Sequence, residues 1–179
     1  MNSLTTKSVN IDHSPRTTLV ETGPVRRETP AGAILLETGA GLTLTAAQTR
    51  TTFKVTSAAT GDRFSMAEYW LPHQFPGPPP HVHRLFEHAW YILEGQVLVQ
   101  IGEQSVTAYP GAFVFIPAGI AHTFSNPHNA PARMLAIDTP GGFEAYYEEL
   151  SAAFPGDTTV DPVKIVEIQR RYDTYPTEF

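Results

Sequence analysis

Between Gly77 and Asn126 the chain breaks into short apolar runs punctuated by proline and glycine, a pattern that calls for extended strands rather than long helices. Pro78-Pro79-Pro80 opens this stretch as a stiff, extended lead into His81-Val82-His83. Arg84-Leu85-Phe86-Glu87-His88 follows, and then the apolar run Ala89-Trp90-Tyr91-Ile92-Leu93, which Glu94-Gly95 closes as a turn. A second block runs from Gly111 through Phe113-Val114-Phe115-Ile116 to Pro117, Gly119, His122 and Asn126. Successive strand residues face opposite sides, so His81 and His83 project the same way. Two imidazoles so placed can grip one ion when the fold brings further ligands to meet them.

The rest of the chain repeats the pattern of short strands. Ala33 to Leu36, Leu42 to Thr45, Thr51 to Thr56 and Phe64 to Leu71 read as strands before the histidines. Val97 to Ile101, Ser105 to Ala108, Ala112 to Ile116 and Arg133 to Ile137 read as strands after the first histidine block. Many short strands at near-regular spacing, with glycine and proline at the turns, predict an all-β sandwich or barrel of the jelly-roll type among others. The tail differs. Phe143, Tyr146, Tyr147, Leu150 and Phe154 follow helical spacing, and Pro155-Gly156 ends that helix. Asp161-Pro162 has the order of an N-cap followed by proline at the first helical position. Glu167 and Arg171, four apart on this second helix, are expected to pair on its exposed face. The expected organisation is an N-terminal arm over 1–30, with one strand at Thr17 to Glu21, a single β domain over 31–140, and a helical segment over 141–179 packed on it.

Composition narrows the function. A chain of 179 residues with 41% apolar and 17% charged residues has the makeup of one globular domain. The net charge of −6, with scattered basic residues, argues against a nucleic-acid partner. The absence of cysteine excludes disulfides and thiolate metal sites. No apolar segment approaches the roughly 20 residues that a bilayer-spanning helix needs. Met1 to Pro15 lacks the apolar stretch of a secretory signal. The expectation is therefore a cytoplasmic protein with neither a nucleic-acid nor a membrane partner.

The two histidine blocks resemble the paired motifs of the cupin superfamily. The second motif, Gly-x5-Pro-x-Gly-x2-His-x3-Asn, is met at Gly111, Pro117, Gly119, His122 and Asn126. The first is met at His81, His83 and Gly95, with Gly77 two residues closer than the usual opening glycine. The resemblance implies a jelly-roll β-barrel, also called a double-stranded β-helix, and one divalent transition metal: Mn, Fe, Ni, Zn or Cu. It also implies a homodimer. Its metal ligands would be His81, His83, His122 and a fourth residue. Counting six residues back from Gly95, or four on from His83, the fourth position is His88. Only a shorter spacer makes it Glu87, and adjacent strand residues cannot both face the site. His88 is the expected ligand. Glu87 is the alternative, and a candidate base if it is not a ligand. Trp90 and Ile92 share His88's face by alternation, and Phe124 lies two beyond His122, so these three are the expected pocket residues. Of Glu68 and Tyr69 one must face inward. His73 and His128 match neither motif and read as solvated. The function implied is a metal-dependent enzyme on a small oxygenated, aromatic or enolisable substrate, by dioxygenase chemistry. The alternatives are a Lewis-acid cyclase or isomerase of polyketide-cyclase type and a non-catalytic metal- or ligand-binding module.

Overall fold

The computed structural model describes residues 32–156 and 159–178. The arm expected over 1–30, with its strand at Thr17 to Glu21, lies outside the described residues. The first elements are β1 (Leu42–Ala46), β2 (Thr49–Val55), a one-turn helix α1 (Ser57–Thr60) and β3 (Ser65–Leu71). The histidine region contributes β4 (His81–His83), β5 (Glu87–Glu94), β6 (Val97–Ile101), β7 (Gln104–Ala108), β8 (Phe113–Ile116) and β9 (His122–Ser125). The chain ends with β10 (Ala132–Thr139), α2 (Glu144–Ala153), α3 (Pro162–Arg171) and β11 (Thr174–Pro176). No helix among the described residues is long and apolar enough to cross a membrane.

The strands form two antiparallel sheets, a six-stranded one in the order β1-β2-β3-β10-β5-β8 and a five-stranded one in the order β11-β4-β9-β6-β7. This is the expected all-β jelly roll, with its sheets packed face to face rather than hydrogen-bonded into a closed cylinder. Period-two patterning explains the packing. β3 and β10 alternate buried and half-buried residues along their whole length, so one row from each turns inward. Leu71, Ile92 and Met134 of the larger sheet meet Val97 and Val99 of the smaller one, all fully buried. Ala136 stands in register with both Ala67 and Trp90, and these methyl side chains leave room for the indole. A second apolar cluster joins α2 and α3 to the sandwich through Phe143, Tyr146, Leu150, Phe154 and Ile168.

Several local expectations hold. Asp161 caps α3, accepting from the N–H groups of Val163 and Lys164, and Pro162 opens the helix. Others do not. Residues 33–36 form no strand; Ile34 and Leu35 are exposed, so no burial offsets the entropy of ordering them in a ladder. Arg171 pairs with Glu149 of α2 instead of Glu167. Glu149 offers both carboxylate oxygens to one guanidinium, a better fit than a neighbour along the same helix. β11 has no counterpart in the sequence reading, being three residues beyond a helix and defined only by pairing with β4.

Gly77 shows how tightly the histidine region is drawn in. Its φ is +80°, and a Cβ there would lie 1.8 Å from the Phe124 carbonyl oxygen. Gly102 also has positive φ, +54°, but a Cβ there meets nothing within 4 Å. Gly77→Ala should therefore destabilise by more than about 2 kcal/mol, and Gly102→Ala by only about 1. Urea unfolding of the two variants checks this; equal losses would show that the close approach at Gly77 carries no cost.

Candidate metal centre

The histidines converge because three strands bring them together. β4 holds His81 and His83 on its buried face, and β9 begins at His122, which stands in register with His81. On the opposite sheet His88 is the second residue of β5, facing inward with Trp90 and Ile92. All four imidazoles are buried. Their ring centroids lie 4.5 Å apart for His81–His122, 5.0 Å for His81–His83, 4.6 Å for His83–His88 and 5.5 Å for His88–His122.

Each ring is tied down through the same atom. His81 Nδ1 is 2.9 Å from the Pro79 carbonyl, His122 Nδ1 is 2.9 Å from that of Ile120, and His83 Nδ1 is 2.9 Å from that of Asp173. His88 Nδ1 is 2.7 Å from Asp138 Oδ1, its cross-strand neighbour on β10. A carbonyl oxygen only accepts, so Nδ1 must carry the proton in those three rings and Nε2 keeps its lone pair. Nε2 of His83 and of His122 is buried with no hydrogen-bond partner among the described residues. His81, His83 and His122 each present a ligand atom within 4.8 Å of the other two, a group able to hold a metal ion. Unpartnered lone pairs on rings fixed from behind are the arrangement that a transition metal requires.

Electrostatics agree. Burial pushes His81 down to about 4, His83 to about 2 and His122 to about 3, with neighbouring imidazoles adding to the effect. All three are neutral at physiological pH and need release no proton to ligate. His88 and Glu87 both fall outside that three-histidine group; His88 faces inward with its ring centroid 4.6 Å from that of His83, whereas alternation along β5 turns Glu87 to the opposite face.

Above the histidines opens a cavity of ≈ 470 Å³. Trp90 and Phe124 line it, whereas Ile92 is fully buried in the core and does not. Tyr69 faces inward and also lines it; Glu68 points outward to Lys54 and Arg133. The sequence reading left the far wall unassigned: Tyr146, Tyr147 and Leu150 of α2, with Ile165 and Gln169 of α3. Helical periodicity revealed these apolar rows but not which surface they would cover. Asp138 and Asp173, the partners of His88 and His83, carry no motif; each is 50 or 90 residues from its histidine.

The family model described as Cupin domain matches residues 70–138. Residues 70–138 therefore carry a cupin domain. Quercetin 2,3-dioxygenase of Bacillus subtilis (strain 168) is 28% identical to this cupin over 76 residues, 42% of this chain and 22% of that protein. The match thus spans under a quarter of that relative's length. A putative ethanolamine utilization protein from Salmonella typhimurium LT2 superposes with a TM-score of 0.54 at 18% identity, over 66% of this cupin and 95% of that chain. The polyketide cyclase RemF from Streptomyces resistomycificus is 28% identical over 52% of this cupin and 66% of that chain, with a TM-score of 0.46.

The depressed histidines make a stability prediction. Their folded values lie below the ordinary 6.5, so below that pH the unfolded chain binds more protons than the folded one. Metal-free protein should lose stability as pH falls from 6.5 toward 4, by up to about 1.4 kcal/mol per pH unit for each histidine. Urea midpoints in chelator at pH 7.5 and 5.5 test it; equal midpoints would mean the imidazoles are not held neutral by the fold.

Proposed function

We propose that this cupin is a metal-dependent enzyme in which His81, His83, His88 and His122 hold one divalent transition metal. The substrate is a small oxygenated molecule, aromatic or enolisable. The observation that carries the reading is the common anchoring of the four rings through Nδ1 beside an aromatic-walled cavity, with Nε2 of His83 and His122 left buried and unpartnered among the described residues. A divalent ion among neutral imidazoles keeps its full charge, and supplies either Lewis acidity toward a bound oxygen or oxygen activation. The chain's own residues orient the molecule and exclude water: Trp90, Phe124 and Tyr146 offer flat apolar surface.

Two reaction types fit this frame. Dioxygenase chemistry is supported by the local likeness to a quercetin 2,3-dioxygenase. Cyclisation or isomerisation is favoured by a different observation, the absence of any carboxylate from the histidine group. With Glu87 turned away, no acidic side chain among the described residues lines the cavity; Asp138 lies behind His88, held to its Nδ1 through Oδ1, with Oδ2 buried and unpartnered.

Elemental analysis of purified protein should find about one transition-metal ion per chain, kept in Glu87→Ala and lost in His122→Ala and His88→Ala. Loss in Glu87→Ala with retention in His88→Ala would replace the four-histidine set with three histidines and a glutamate. Wild-type protein that stays metal-free after reconstitution would reduce the cupin to a ligand-binding module. Oxygen electrode traces with a flavonol or a 1,3-diketone then separate the chemistries: uptake with ring or chain cleavage marks a dioxygenase, and anaerobic turnover marks a cyclase or isomerase.

A further inference from the structure

Two polar side chains in the cavity wall have hydrogen-bonding capacity that the fold leaves unused. The indole nitrogen of Trp90, a donor only, is buried without a partner among the described residues. So is Oε1 of Gln169, on a side chain whose residue is 1% exposed. Both residues line the cavity that reaches the histidines. Trp90 sits at its base, its ring stacked at 5.8 Å from His88 and edge-on at 5.8 Å from His122. Gln169 enters from α3 and hydrogen-bonds Tyr146, another wall residue.

The amide carries a nitrogen donor and an oxygen acceptor, and one phenol meets only one of them. The remaining atom, Oε1, has no partner among the described residues. Leaving it unpaired is costly, and a leucine or methionine would pack there without that cost. A buried amide held in place by a tyrosine and left with a spare acceptor is suited to reading a donor on whatever fills the cavity.

We propose that Gln169 determines substrate specificity: its amide oxygen accepts a hydrogen bond from a hydroxyl or N–H on a flat, mainly apolar molecule. The Trp90 N–H donates to an oxygen of the same molecule near the histidines. The ligand class is a hydroxylated aromatic compound with at least one free donor. This deepens the enzyme reading above and rests on its assignment of the cavity as the substrate site.

Calorimetric titration with 2-naphthol, which has a donor, and 2-methoxynaphthalene, which has only an acceptor, tests the assignment. Wild-type protein is expected to bind 2-naphthol roughly tenfold more tightly. In Gln169→Met the ratio falls by roughly that same factor of ten relative to wild type while 2-methoxynaphthalene affinity is kept; Gln169→Leu, of different shape, is measured beside it. Because the readout is a ratio compared between proteins, any contribution of the metal to naphthol binding cancels. A wild type without the preference, or apolar variants that retain it, overturns the proposal. Metal content of the same samples keeps the two readings apart. Metal-free protein with a Gln169-dependent preference fails as the enzyme but supports the specificity role; metal-loaded protein whose preference ignores Gln169 does the reverse.

Discussion

Every feature of the site depends on where the imidazole proton sits. A buried histidine with both nitrogens unsatisfied would be unfavourable; here Nδ1 is always the satisfied one. For His81 and His122 the acceptor is a carbonyl two residues earlier, so the local turn of the chain sets both tautomer and ring orientation. His83 and His88 need partners from far along the chain. Asp173 serves His83 twice over: its carbonyl holds the ring, and its carboxylate accepts from the N–H groups of Leu85 and Phe86, fixing the backbone just after the ligand. β4 is only three residues long and is held between β9 and β11. The docking of the last strand thus supplies the anchor of His83 and one neighbour of β4.

That dependence explains what could be read from the sequence and what could not. Gly77, Pro117, Gly119 and Asn126 stand at fixed offsets from the histidines and so are legible in the sequence, although the contacts they make are not all local. Asn126 does both: its amide donates to the carbonyl of Ala130 four residues on and to that of Pro72 on a distant loop, stitching the loops beside the site. Strand positions followed from alternation, and the cap of α3 followed from two adjacent residues. What stayed hidden is long-range. Asp138 is paired with His88 by sheet register, Arg171 chooses Glu149 over Glu167 because two helices lie side by side, and Tyr69 rather than Glu68 turns inward by the phase of β3. None of these is encoded by spacing along the chain.

The two halves of the cavity have different origins. Its base comes from strands within the stretch matched as Cupin domain, residues 70–138, while its far wall comes from α2 and α3 beyond that stretch. Packing ties the halves together: Phe143 contacts the rings of His83 and His88 at 5.4 and 5.3 Å, and Tyr147 meets Phe53 and Tyr69. A wall supplied by helices can change its side chains without moving a ligand, because the histidines are anchored to strands and turns. The exception is Asp173, where the helical segment reaches into the anchoring itself.

Charge distribution bears on what such a cavity accepts. Burial keeps His81, His83 and His122 neutral, and raises Tyr69 and Tyr147 well above the ordinary phenol range, the Asp138 carboxylate adding to the effect on both. Tyr146 is pushed up to about 12 by the same burial. The phenols therefore remain protonated donors, and the lining offers no anion to repel an oxygen that develops negative charge. Positive charge enters only with the ion proposed at the histidines. With that ion bound, an oxygen of the proposed substrate would be drawn to one end of the cleft and its ring left to the aromatic walls, so that the asymmetry of charge would orient a flat molecule before any specific hydrogen bond is made.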